Sequence, residues 1–250
     1  MAIVRVQGNI RGTATDGNVT VTLTSTPISG NVLVATTAVY DTETIKTCSS
    51  ITETNVVWTK QISRTFAKGQ IGIWFGVVSA SASTTVTIAF SGYEFTRAVV
   101  DICEYSGILT ASFLDKSASS YGGPTTPAVT GTTANTTQND ELWVGAIGCY
   151  SYAQSTPAGG FTLLDGALYT SISNGYLELI VSATGAAASG TTPTSATLYG
   201  GCIATFFASA AAGGAAVQKR RLLLGVGLQV DVWNLNKHKL KFPRLTPKTF

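Results

Sequence analysis

The side chains able to do chemistry are few, and their spacing favours little of it. The chain has one histidine, His238. A zinc site built on several histidines is therefore excluded, and a Ser-His-Asp or Cys-His arrangement would need its base from the far C-terminal region. The cysteines Cys48, Cys103, Cys149 and Cys202 lie far apart without metal-ligand spacing. Two disulfides would suit an extracellular particle, but the expected state is four buried free thiols. Asp101, Glu104 and Asp115 lie close in sequence. On a strand Asp101 and Glu104 point to opposite faces, so a catalytic carboxylate pair would have to be assembled from distant strands. No P-loop, EF-hand loop or dinucleotide fingerprint is present. The expectation is a protein that is not an enzyme and needs neither cofactor nor metal. Trp58, Trp74, Trp143, Tyr40, Tyr150 and Tyr152 could line a sugar-binding surface. Trp74 and Trp143 sit inside apolar runs and are assigned to the core. Tyr150 and Tyr152, in the loop CYSYAQS, remain as candidate glycan contacts.

Charge is distributed unevenly. Residues 1–210 hold 8 Lys/Arg against 12 Asp/Glu, a net −4, whereas residues 211–250 hold 8 Lys/Arg against one acid, a net +7. The overall +3 thus averages a mildly acidic body and a basic arm. The arm's basic residues are Lys219, Arg220, Arg221, Lys237, His238, Lys239, Lys241, Arg244 and Lys248. They could neutralise phosphates, with Phe242 and Trp233 stacking on bases. Docking on the acidic body of a neighbour fits the opposite charges better, so nucleic acid is the disfavoured partner.

The elements that must carry these residues read as strands. Charged residues make up 12% of the chain, about half the usual ~25%, and Thr, Val, Ile and Gly are abundant, a β composition. Asn18–Ser25 alternates Val19, Val21 and Leu23 with threonines, the pattern of a half-buried strand. Asn31–Val39 is more uniformly apolar. Further strands are expected at Val56–Gln61, Gln70–Ser79, Thr84–Phe90, Arg97–Tyr105, Glu141–Cys149, Gly160–Leu164, Gly175–Val181 and Ser195–Phe207. No window shows a helical period. No apolar stretch approaches the ~18 residues of a membrane-spanning helix, and no basic region followed by an apolar one opens the chain as a secretory signal would.

The chain repeats itself. SGNVLVATTAVY (29–40) matches QNDELWVGAIGCY (138–150), and VVWTK (56–60) matches GFTLLDG (160–166). Residues 69–90 match 174–199, and RAVVDICEYSG (97–107) matches GCIATFFAS (201–209), all offset by about 100 to 110 positions. Two copies of a four-strand unit would give an all-β, jelly-roll-like two-sheet β-sandwich over residues 1–210. Residues 211–250 then form an extended C-terminal arm: a small-residue linker, an apolar strand and the basic tail. Over Leu222–Trp233 the residues Leu222, Leu224, Val226, Leu228, Val230 and Val232 share one face at period two, and Trp233 closes the run. Such a strand would extend about 40 Å. It could complete its own body, or add to the exposed edge of a neighbour.

The segments SGNVLVATTA, GQIGIWFGVVSASASTTVTIAFSG, CEYSG, NDELWVGAIG and GGFTLLDG together resemble Ser/Thr/Gly-rich, jelly-roll-like β-sandwich structural proteins of tailed bacteriophages and prophages. The resemblance covers roughly residues 29–209 and carries no catalytic residue. It implies a virion structural role as a capsid decoration, head-fibre or tail component, assembled in the host cytoplasm. The partners it implies are identical subunits in a homo-oligomer and other virion proteins. The alternative is a carbohydrate-binding, lectin-like module on a particle or cell surface, with surface glycans as ligand. Neither reading involves a membrane.

Overall fold

The protein is described by a computed structural model, over residues 2–91 and 97–210. It is an all-β sandwich protein, and the duplication is visible strand by strand. The first repeat contains β1 (Val4–Ala14), β2 (Val19–Thr22), β3 (Val32–Tyr40), β4 (Cys48–Thr52), β5 (Val56–Phe66), β6 (Gly69–Val78), β7 (Thr85–Phe90) and β8 (Arg97–Ser106). The second contains β9 (Leu114–Thr125), β10 (Ala128–Asn135), β11 (Asp140–Tyr150), β12 (Gln154–Ser155), β13 (Thr162–Asp165), β14 (Leu168–Tyr169), β15 (Ile172–Ser182), β16 (Ala186–Pro193) and β17 (Thr197–Phe207).

Each repeat forms one five-stranded and one three-stranded core sheet. The orders are β1-β8-β3-β6-β5 with β2-β7-β4, and β9-β17-β11-β15-β13 with β10-β16-β12; β14 adds to β15. The nested pairs β1·β8, β2·β7 and β3·β6 recur as β9·β17, β10·β16 and β11·β15, all antiparallel. This nesting is the jelly-roll wrap. The repeating unit is therefore eight strands and not the four expected. The missed strands explain the difference. β9, β10 and β16 are rich in Gly, Ser, Thr and Ala and lack the apolar alternation that marks a strand in sequence, and in β1 that alternation covers only Val4 to Val6.

The two five-stranded sheets pack face to face. Val32, Val34, Ile71, Ile73, Phe75 and Val99 of the first meet Leu142, Val144, Tyr176, Cys202, Ala204 and Phe206 of the second in a shared core. The three-stranded sheets cover their outer faces. Val19, Val21, Val86 and Ile88 pack on Leu33, Trp74 and Val100 on one side. Ala128, Phe161 and Ala187 join Trp143, Ile147 and Leu177 on the other. Four layers result, with both large sheets buried on both faces. β3, β8 and β11 are accordingly buried almost residue by residue. That is why Asn31–Val39 reads as continuously apolar rather than alternating.

Within the large sheets, register shifts are confined to the rims, and the small sheets carry others in β10·β16 and β4·β7. The edge strands β1, β5, β9 and β13 each carry one or more. The inner pairings β3·β6, β3·β8, β11·β15 and β11·β17 run without interruption. Bulges at an edge turn its free backbone groups away from a flat partner.

Phe206 is fully buried, its ring 4.9 Å from Phe75 across the two sheets. Phe206→Ala should lower the unfolding free energy by about 3–5 kcal/mol, the usual cost of a large cavity, measured by urea denaturation. A loss below about 1 kcal/mol would show that the sheets do not depend on this contact.

Candidate functional site

The joint between the two sandwiches concentrates the buried ionisable groups, and its two flanks differ in chemistry. Aligning β3 with β11 places Tyr40 at the position of Tyr150, and these two rings contact each other at 4.6 Å. Equivalent residues touching in this way mark an approximate two-fold axis running along the strands. Register then fixes further equivalences. Phe75 and Phe206 correspond to Glu178 and Tyr105, since Val34 opposes Phe75, Val144 opposes Glu178, Val32 opposes Tyr105 and Leu142 opposes Phe206. Likewise Ile71 and Cys202 correspond to Asn174 and Asp101. The same frame thus carries an apolar flank and a polar one.

On the apolar flank, Phe75 stacks on Phe113 at 3.8 Å and meets Phe206. The Cys202 thiol faces the Ile71 carbonyl. On the polar flank the matching contacts are hydrogen bonds. Tyr105 donates to Glu178 Oε2 at 2.6 Å, and its hydroxyl lies 3.1 Å from that of Tyr176. Arg5 of β1 closes this chain on Glu178 Oε1 at 3.2 Å. Farther along the flank, Asn174 donates to Asp101 Oδ2 at 2.7 Å and to Thr36 Oγ1 at 2.8 Å. Asn9 donates to Asp101 Oδ1 at 3.1 Å and reaches the Leu164 carbonyl. The next residue, Asp165, lies within hydrogen-bonding reach of Asp101. Asp165 Oδ1 accepts the Gly166 and Ala167 amides, and Arg11 pairs with Oδ2 at 3.0 Å.

A carboxyl pair assembled from distant strands is therefore present, with one member from each repeat. Asp101 is fully buried. Burial pushes its carboxyl well above the ordinary range, and the Asp165 charge pushes it the same way, against Arg11 and Asn174. Asp101 thus lies beside the Asp165 carboxylate, whose charge disfavours its ionised form. With no exposed surface on Asp101, what the arrangement does chemically is tie one repeat to the other.

Each sandwich also has a carboxyl group at the matching end of its own core. Glu104 accepts Gln7, Asn31 and the Ile28 amide at 2.6, 2.6 and 2.8 Å. Burial raises the neighbouring Glu53 to about 7, and Glu104 adds to the shift. In the second sandwich burial raises Glu141 to about 7, with Asp115 contributing, while the Trp143 indole donates to it at 3.0 Å and opposes the shift. For Asp115, desolvation is outweighed by bonds from Lys116 and Thr137, which hold it below the ordinary value.

Asp101 and Glu104 do lie on opposite faces: Asp101 faces the other repeat, whereas Glu104 faces its own sandwich core. All four cysteines are free and buried. Trp74 and Trp143 are buried in the two outer cores. Tyr150 and Tyr152 are both half-buried; one ring meets Tyr40, and the Tyr152 carbonyl accepts Ser173 Oγ. The arm residues Leu222, Leu224, Val226, Leu228, Val230, Val232 and Trp233, and the basic residues from Lys219 to Lys248, lie outside the described residues. Among the described residues no three His, Cys, Asp or Glu side chains gather as metal ligands would. Sequence reasoning missed Asn9, Arg11, Asp165, Asn174 and Glu178. Glu178 carried a signal, an acid inside the apolar run GYLELIV.

No protein-family model matches the chain, and no curated protein or solved structure is found similar to it. The fold itself places it among all-β sandwich proteins.

Asp101, Glu53 and Glu141 hold protons in the folded state that the unfolded chain releases near pH 4. Their contribution to stability is full below that pH and is lost as pH rises through the folded values. Asp115 acts with the opposite sign and loses its contribution below about pH 4. The melting temperature should therefore peak near pH ~5 and fall toward pH ~8; a flat or rising profile would contradict these assignments. Thiol titration at pH ~7 should find no reactive cysteine until denaturant is added, when all four react.

Proposed function

We propose that the protein is a structural subunit of a larger particle, a virion component such as a capsid decoration, head-fibre or tail protein, and that it self-assembles through residues 211–250. One observation carries this reading. Each repeat completes its jelly-roll set within the described residues, the second ending at β17, and both large sheets are already covered on both faces. The apolar run Leu222–Trp233 has no counterpart in the repeat. An apolar run that the body's own cores do not require is suited to a neighbour's surface. The bulged rims support the same division of labour. They blunt edge-to-edge pairing of the bodies, leaving association to the arm. The charge imbalance, −4 over residues 1–210 and +7 over residues 211–250, favours arm-to-body contact between chains.

A second reading, a glycan-binding module, is favoured by the half-buried Tyr40–Tyr150 pair with Tyr152 nearby in sequence. It predicts binding by the isolated body, with loss on Tyr150→Ala.

Light scattering of the full chain and of residues 1–210 tests the first reading. The full chain should assemble, and the truncated chain should remain folded and monomeric. A monomeric full chain, or a truncated chain that assembles equally well, would overturn it.

A further inference from the structure

The polar flank of the joint is built differently from everything around it. At each of its central positions the other flank has an apolar side chain: Cys202 for Asp101, Ile71 for Asn174, Phe206 for Tyr105, and Phe75 for Glu178. The backbone frame therefore does not require polar groups there. Nor are they fully satisfied. The amide oxygens of Asn9 and Asn174 are buried without a hydrogen-bond partner, which costs about 1–3 kcal/mol each. Such a flank is weaker than an apolar one of the same shape.

The charges facing it come from four elements. β1 brings Arg5 and Arg11, and β13 brings Asp165. β15 brings Glu178 and Tyr176, and β8 brings Asp101, Cys103 and Tyr105. β3 faces it with Thr36. Arg5 is paired with Glu178 and Arg11 with Asp165. Neither cation is left over for a third carboxylate. While Asp101 carries its proton the count balances; once ionised, it is a buried anion set against Asp165.

We propose that the joint between the two sandwiches is a proton-operated latch. The flank holding Asp101, Asn174, Asn9 and Asp165 opens when Asp101 loses its proton, while the Phe75–Phe113–Phe206 flank stays packed and serves as the hinge. Opening hydrates the new carboxylate and the two orphaned amide oxygens together. On the apolar flank the Cys202 thiol faces the Ile71 carbonyl and burial holds it up at about 12, so it does not titrate with them. Acid therefore closes the two sandwiches on each other and alkali loosens them on one side. In a protein that assembles, this would let pH change the shape of the subunit without unfolding it.

The four buried thiols report the motion. Cys103 lies on the polar flank beside Tyr105 and Tyr176. Cys202 lies on the apolar flank, and Cys48 and Cys149 lie in the two outer cores. The native full chain is alkylated at pH values from ~6 to ~9, and each cysteine is quantified by peptide mass spectrometry. Dividing the Cys103 rate by that of a free thiol probe at the same pH removes the common rise in thiolate, and Cys202, divided in the same way, should stay far below it. The Cys103 ratio should climb about tenfold per pH unit wherever opening releases one proton. In Asp101→Asn and in Asp165→Asn, each of which removes one of the facing anions, the ratio should stay constant. The second variant serves if the first does not fold. A wild-type ratio that does not change with pH, a climb that persists in a folded variant, or simultaneous labelling of all four cysteines would overturn the latch.

Discussion

Phe75, Phe113 and Phe206 seat one five-stranded sheet on the other, and the rest of the molecule depends on that contact. Burying each ring removes a large apolar surface from water, and their mutual geometry adds about 0.5–1.5 kcal/mol per pair. A sheet covered on one face only could keep its other face polar. Here both faces are covered, so the inner strands are mostly apolar, and the polar residues they carry are hydrogen-bonded inside. Small residues are needed where the layers come closest. A side chain at Gly148 or Gly200 would meet the Phe66 ring within 3 Å. The outer three-stranded sheets then have a largely apolar surface to cover.

The joint also shows what duplication allows. Two copies of one unit, packed face to face about an axis along the strands, would present identical flanks. The copies have since diverged at the positions that meet. One flank keeps aromatic and aliphatic contacts, and the other holds Glu178, Tyr105, Asn174 and Asp101. Polar groups in an interface contribute little net stability, but they penalise wrong pairings strongly, because a mismatched partner leaves them buried and unbonded. This flank also leaves each half with a distinct face for the other, although the topology of the halves is the same.

Carboxyl groups recur at the core boundaries of this protein: Glu53 and Glu104 in the first sandwich, Asp115 and Glu141 in the second, Asp101 and Asp165 between them. In each case burial sets two acids close enough to influence one another. Together they make proton uptake part of the folded state.

Much of this was legible in the residues alone. The repeat, the all-β class and most inner strands follow from period-two and continuous apolar runs, because strand burial writes itself directly into residue type. The offset of GQIGIWFGVVS against NGYLELIV was enough to pair β6 with β15. Of the outer strands, β2 and β7 were legible, but β9 and β10 were not, since they satisfy their backbone by pairing and need few large side chains. The polar flank was hidden for a different reason. Asp101 and Asn174 lie in separate repeats, as do Tyr105 and Glu178, and only the packing of one sheet on the other brings them within 3 Å. Local sequence determines which residues a strand will bury; which of them meet across a joint is decided by the tertiary fold, through contacts that no spacing along the chain records.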